Sequence, residues 1–278
     1  MKKLTILILA TLISVASAMA QNIDINASNF PDTNFRNYLL AQSYGNGDAI
    51  LTPSEIAGIT IMYIQYLNIS DLTGIGFFTA LEALGCHHNQ LTSLDVSGCT
   101  ALTRLECNSN QLTSLDVSNN TALINLACEI NQLTSLDVSV CTALTYLTCN
   151  DNQLTKLDVS NNMALNFFRC SNNQLISLDM SDYTALTFLA CSNNQLTSLD
   201  VSGCTALTRL YCYDNQLTSL DVSSCTALTD LNFGANQISK ISDIIGLRTD
   251  MQIQAQGNLF PLSELYLLTT TILSPASL

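Results

Sequence analysis

An asparagine recurs every 21 residues along the middle of this chain, at 89, 110, 131, 152, 173, 194, 215 and 236, without a gap. Each is followed by Gln and then by Leu or Ile. One copy of the unit reads Leu102-Thr-Arg-Leu105-Glu-Cys107-Asn-Ser-Asn110-Gln-Leu112-Thr-Ser-Leu115-Asp116-Val117-Ser118. A unit this short cannot bury its apolar face alone, so successive copies must stack and share one continuous core of Leu, Ala and Val. Within a copy, Leu105 and Cys107 alternate with Arg104 and Glu106, the period of a strand with one face in and one out. Stacked strands spaced ~4.8 Å apart make a parallel sheet, roughly 40 Å long for eight copies. The tight Asp-Val-Ser turn leaves no room for an α-helix on the opposite side. That side is expected to be extended or 3-10, and the curvature shallow.

The consensus L-x-x-L-x-C-x-x-N-x-L matches the leucine-rich repeat, with Cys in place of its third apolar residue. From about Ile61 to Ile245 the chain resembles the 21-residue cysteine-ladder repeats of internalin-like secreted bacterial proteins, those of the internalin J type above all. The expected fold is a right-handed leucine-rich repeat solenoid. It would carry a parallel β-sheet on its concave face, an extended or 3-10 convex side and a small helical N-terminal cap. The resemblance also implies adhesion or host interaction.

Only 11% of the residues are charged, against ~25% in an ordinary domain. Nine Lys and Arg face 22 Asp and Glu, a net charge of −13. So acidic a chain has no electrostatic hold on a phosphate backbone, which excludes nucleic acid as a partner. The two histidines, His87 and His88, leave little scope for His-based catalysis or a multi-His metal site. No Ser-His-Asp or Cys-His arrangement can be assembled from fixed strand positions, and there is no glycine-rich phosphate loop. The expectation is no catalytic residue, no enzyme activity and no cofactor.

Residues 1–20 read as an export signal: Lys2 and Lys3, an apolar run from Leu4 to Val15, then Ala18-Met19-Ala20 before Gln21. The apolar run is shorter than the ~20 residues a membrane span needs. The product is therefore expected to be secreted, cell-surface or periplasmic, with no membrane insertion after cleavage. Residues 21–60 read as the cap, 61–245 as the repeat array and 246–278 as an edge strand and tail, with Met251 to Gln256 alternating like a strand. Within the cap, Asn46, Asp48 and Glu55 fall at positions 3, 5 and 12 of a calcium loop. Tyr44 stands at position 1, and Ala49 replaces the turn glycine. The segment thus resembles a degenerate EF-hand, and the bare cap is favoured over a metal site.

Four columns recur through the array. The asparagines are expected to satisfy main-chain groups between turns of the coil. Cysteines 86, 107, 128, 149, 170, 191 and 212, continued by Phe233, point inward; a strand spacing separates them too far to bridge, so they are expected to be free thiols. Cys99, Cys141, Cys204 and Cys225 share a column on the back with Asn120, Asn162 and Tyr183. This mixture suggests a permissive, partly exposed position, and it leaves a Cys204–Cys225 bridge open. The aspartates at 95, 116, 137, 158, 179, 200 and 221 are expected to close Asx-turns on their own backbone.

The outward strand positions vary between copies, as binding positions of a solenoid do. Tyr146, Phe167 and Phe188 follow one another in successive strands, with Arg169, Arg209, Tyr211 and Tyr213 beside them. These residue types dominate interface energetics, and the rings also suit stacking on sugars. They mark the expected site for a protein or glycan ligand, host-derived in the reading that the resemblance implies. The alternatives are a ladder that only stabilises the sheet, and a structural surface protein that presents a stiff rod without a specific ligand.

Overall fold

The computed structural model describes residues 21–42, 44, 47–261 and 263–264. The export signal and the tail beyond Glu264 lie outside them. A short pair, β1 (Ile23–Asp24) and β2 (Ile50–Leu51), runs antiparallel. Around it lie helix α1 (Thr33–Ala41) and helix α2 (Pro53–Gly58). Asp32 caps α1 by accepting from the Asn34 and Phe35 amides, and its other oxygen takes the Ser70 amide and hydroxyl. Thr52 and Glu55 form a reciprocal capping box on α2. Phe30, Phe35 and Leu39 are wholly buried in the core that runs on through the array.

The repeats supply β3 (Ile61–Tyr63), β4 (Ala83–Gly85), β5 (Arg104–Glu106), β6 (Asn125–Ala127), β7 (Tyr146–Thr148), β8 (Phe167–Arg169), β9 (Phe188–Ala190) and β10 (Arg209–Tyr211). On the opposite side lie β11 (Leu220–Asp221) and β13 (Ile244–Ile245), which pair parallel with each other. Strand β12 (Asp230–Asn232) and strand β14 (Gln252–Gln254) complete a ten-stranded parallel sheet, ordered β3 through β10, then β12 and β14. Register is strict: Leu84, Leu105, Leu126 and Leu147 lie side by side, followed by Phe168, Leu189, Leu210 and Leu231. All of these are fully buried.

Three columns hold the turns together, each through the main chain. In the asparagine column, Asn131 accepts from the Leu112 amide (3.0 Å) and donates to the Cys107 and Cys128 carbonyls (3.1 Å each). Each residue of the column bridges its own turn to the preceding one in this way, and Asn258 continues the pattern beyond Asn236. The residue just before each of these asparagines is left-handed in eight turns, from His88 (φ 52°) to Ala235 (φ 49°). In the aspartate column, the Oδ1 atoms of Asp95, Asp116, Asp137, Asp158, Asp179, Asp200 and Asp221 accept the amide two residues on, at 2.8–3.0 Å. These are the expected Asx-turns.

The third column corrects the sequence reading. Cys99, Cys141, Cys204 and Cys225 are fully buried, and so are Asn120, Asn162 and, nearly, Tyr183. What these side chains share is a polar hydrogen aimed at the carbonyl 24 residues earlier. Cys99 Sγ donates to Ile75 O, Asn120 Nδ2 to Val96 O, Tyr183 Oη to Val159 O and Cys204 Sγ to Met180 O. The position selects a donor, which is why three chemically unlike residues fill it. Cys204 and Cys225 are both free thiols, as are the other nine cysteines.

Candidate binding face

Alternation places one residue of each strand outward ahead of the buried Leu and one after it. On β7, β8 and β9 this stacks Tyr146 on Phe167 (ring centroids 4.7 Å apart, 7° between planes) and Phe167 on Phe188 (4.5 Å, 9°). Tyr211, on β10, meets Phe188 edge-on at 5.5 Å, and its hydroxyl donates to Asp230. Arg169 lies over the rings of Phe167 and Phe188 (5.4 and 5.2 Å), and Arg209 lies 5.1 Å over Phe188. Cations at such distances from a ring face are attracted by its quadrupole. Burial, and next the charge of Glu129, hold the Tyr146 phenol above its usual pKa. For Tyr211 the hydrogen bond to Asp230 is the main cause of a shift in the same direction.

The expected residues thus come together, with one correction. Phe188 points outward but is only 3% exposed, because Phe167, Tyr211 and the two guanidiniums cover it. It is the base of the patch. Tyr146, Phe167 and Tyr211 are half-buried, whereas Arg169, Arg209 and Tyr213 are exposed.

A second aromatic group lies at the other end of the same face, and the repeat pattern missed it. Ile61, Tyr63 and Tyr66 are 55%, 47% and 66% exposed. Tyr66 stacks on His88 at 4.5 Å and meets His87 edge-on. Tyr63 lies over Gly85, where a Cβ would come within 2.6 Å of its ring. The alternation Ile61-Met62-Tyr63 was the available signal, since buried Met62 occupies the place of the repeated Leu. Between the two aromatic groups lies a shallow polar hollow, in which Arg104 pairs with Glu106 and Glu129 accepts the Thr148 hydroxyl.

Of the calcium-loop positions, Asn46 lies outside the described residues. Asp48 accepts the Ile50 amide, and Glu55 is engaged in the α2 capping box. Among the described residues, no group of three or more His, Cys, Asp and Glu side chains is arranged to hold a metal, and no helix is long and apolar enough to cross a membrane.

Strand register, the asparagine column and the buried thiols define a leucine-rich repeat solenoid, and residues 205–246 match the family model for leucine-rich repeats. The functional domain of InlJ from Listeria monocytogenes, which includes a cysteine ladder, is similar at 33% identity and a TM-score of 0.59. The match covers 86% of this chain and 62% of that one, so the chain spans under two thirds of that domain's length. The internalin InlF of Listeria monocytogenes shares the fold at 21% identity and a TM-score of 0.65, covering 88% of this chain and 87% of that one. The leucine-rich repeat protein LIC12759 of Leptospira interrogans also shares it, at 24% identity, a TM-score of 0.58 and coverage of 71% and 48%. No curated protein matches the chain. The chain thus has the leucine-rich repeat fold and resembles the internalins, the cysteine-ladder domain of InlJ included.

Proposed function

We propose that this chain is an exported, non-enzymatic module that binds a protein through the outward face of its ten-stranded sheet, in adhesion or host interaction. The observation that carries this reading is the stack of rings from Tyr146 to Phe188, closed edge-on by Tyr211 and flanked by Arg169 and Arg209. Aromatic and arginine side chains clustered at the middle of a surface are the groups on which interface energy concentrates. Tyr146, Phe167, Arg169, Arg209, Tyr211 and Tyr213 make the contacts in this reading, and Phe188 supports them from below.

Arrays of extracellular proteins and of glycans, probed with the wild type and with a Tyr146→Ser/Arg169→Ser/Arg209→Ser variant of unchanged circular dichroism, test it. A protein bound by the wild type and lost by the variant is the expected result. Equal binding by both removes the proposed site, a glycan in place of a protein replaces the partner class, and no binding by either favours the stiff structural rod.

A further inference from the structure

The stack of rings on the sheet face ends at Tyr146. One side of its ring lies on Phe167. On the other side, strand β6 sets Asn125 in register with Tyr146, and Ala127 in register with Thr148. Asn125, small where the ladder has a ring, and Ala127 beside it leave a shallow hollow of about 440 Å³, with Tyr146 as one wall and Glu106 and Glu129 among its lining. Arg104 neutralises Glu106 through Nε–Oε1 contact at 2.9 Å. Among the described residues the Glu129 carboxylate has only the Thr148 hydroxyl as a partner, so the hollow keeps one uncompensated negative charge beside an uncovered aromatic face.

We infer that this hollow receives the guanidinium of an arginine from a protein partner, laid on Tyr146 and paired with Glu129. The inference rests on the sheet face being the binding surface and names what that surface selects. The next strand row lies ~4.8 Å from Tyr146, the separation at which a flat group continues a stack of rings. The protein already makes the same contact within the ladder, where Arg169 and Arg209 lie 5.1–5.4 Å from ring centroids. A guanidinium answers both features of the hollow, being planar and cationic, with donors in a fork that fits a carboxylate. A lysine ammonium answers only the charge, and a sugar ring answers only the aromatic face.

The test uses the protein labelled with ¹³C-methyl alanine and titrated with acetyl-Gly-Arg-Gly-amide, its lysine counterpart and its neutral citrulline isostere. The arginine probe is expected to shift the Ala127 methyl, on the strand beside Tyr146, and to leave Ala227, exposed in the turn ahead of β12, unmoved. The lysine probe should bind several-fold more weakly and the citrulline probe at least tenfold more weakly. Glu129→Gln keeps an oxygen for the Thr148 hydroxyl, so it should lower arginine affinity to the citrulline level without changing the melting temperature. Equal response to citrulline, or no effect of Glu129→Gln, overturns the inference, as does a stronger response of Ala127 to a panel of monosaccharides. If the inference fails while the ladder variant still abolishes array binding, the sheet face stands as the site and only its arginine subsite falls. If the arginine probe binds as expected while the ladder variant binds its array partner normally, the broader reading fails instead.

Discussion

Replacing Asn152 by Ala removes one bridge between two turns of the coil and nothing else. Its Nδ2 donates to the carbonyls of Cys128 and Cys149 (3.1 Å each) and Asn150 (3.3 Å), and its Oδ1 accepts the amide of Leu133 (3.0 Å). Leu133 is fully buried, so its amide is stranded when the acceptor goes. Two good bonds to carbonyls contribute ~1 kcal/mol each, and the Leu133 amide left as an orphaned buried donor costs a further ~1–3 kcal/mol. The expected loss is about 4 kcal/mol, which in a chain of this size lowers the melting temperature by roughly 8–16 °C. Gln153→Ala, next door and exposed, should stay within ~0.5 kcal/mol of the wild type. Asn152→Asp sharpens the test: it keeps the acceptor for Leu133 but turns a second oxygen toward two carbonyls. At pH 7 it should be worse than Ala. Burial among carbonyls raises the folded-state pKa of the new carboxyl. Its penalty is therefore absent below the unfolded value of ~3.9 and grows as pH rises through the interval up to the folded one. Thermal unfolding followed by circular dichroism at pH 3.5 and 7, each variant referred to wild type at the same pH, measures this. An Ala variant within 1 kcal/mol of wild type, or an Asp variant no worse than Ala at pH 7, would refute the bridging role.

Four further outcomes follow from the same geometry. Backbone and side-chain hydrogen bonds from Ser118, Ser139 and Ser160 hold the carboxyls of Asp116, Asp137 and Asp158 below the usual value. Their contribution is present at neutral pH and fades as pH falls below ~4; a triple Asp→Asn variant, which keeps the acceptors and removes like charges, should flatten that part of the melting-temperature profile. Ile130 sits at φ 55° and is 52% exposed, a costly conformation for a β-branched residue. Ile130→Asn should stabilise by ~1 kcal/mol in urea unfolding, and no gain would show that the turn pays no such cost. Burial pushes the thiol pKa values of Cys86, Cys99, Cys191 and Cys204 up to about 12 and those of Cys141 and Cys225 to about 11. Native protein should therefore resist a thiol-disulfide reagent at pH 8 and react at all eleven cysteines once unfolded. Phe188→Ser should cost ~3 kcal/mol and Tyr146→Ser ~1 kcal/mol or less, read in the same unfolding assay; equal costs would contradict the burial of Phe188.

The framework was legible in the sequence because each column has a local chemical reason. An Asp two residues before Ser closes a turn with its own backbone, and an asparagine carries donor and acceptor together, so both roles can be read from residue type and spacing. The back column was not legible in this way. Cys, Asn and Tyr share no size or polarity, and only the path of the preceding turn shows that each must donate to a carbonyl 24 residues back. The same blindness applies to Asn120 and Asn162, whose Oδ1 atoms are buried without a hydrogen bond. The thiols elsewhere in the column bring a donor without that cost. On the sheet face, register gave the neighbours of Phe188 but not its coverage, which depends on how far Arg169 and Arg209 reach across it. Tyr63 and Tyr66 fell outside the repeat pattern, although β3 is in register with β4.

Stability and recognition are carried by different positions of the same repeat, and this has a consequence for how the sheet face can change. The asparagine and the back-column donor bond to the main chain of a neighbouring turn, the aspartate bonds to that of its own turn, and the inward Leu packs in the shared core. Few substitutions satisfy them. Among the described residues, the side chains of Asn125, Tyr146, Phe167 and Phe188 bond to the main chain of no other turn, so these residues occupy equivalent sites without disturbing the coil. Phe188 is the exception, since covered rings take on the role of core. A ladder of rings thus grows less replaceable from its open end at Tyr146 toward its covered rung. The hollow beside Tyr146 is where the face can be re-shaped at least structural cost: enlarging Asn125 to an aromatic residue would extend the stack by one rung, close the hollow and leave the turn's main-chain bonds intact.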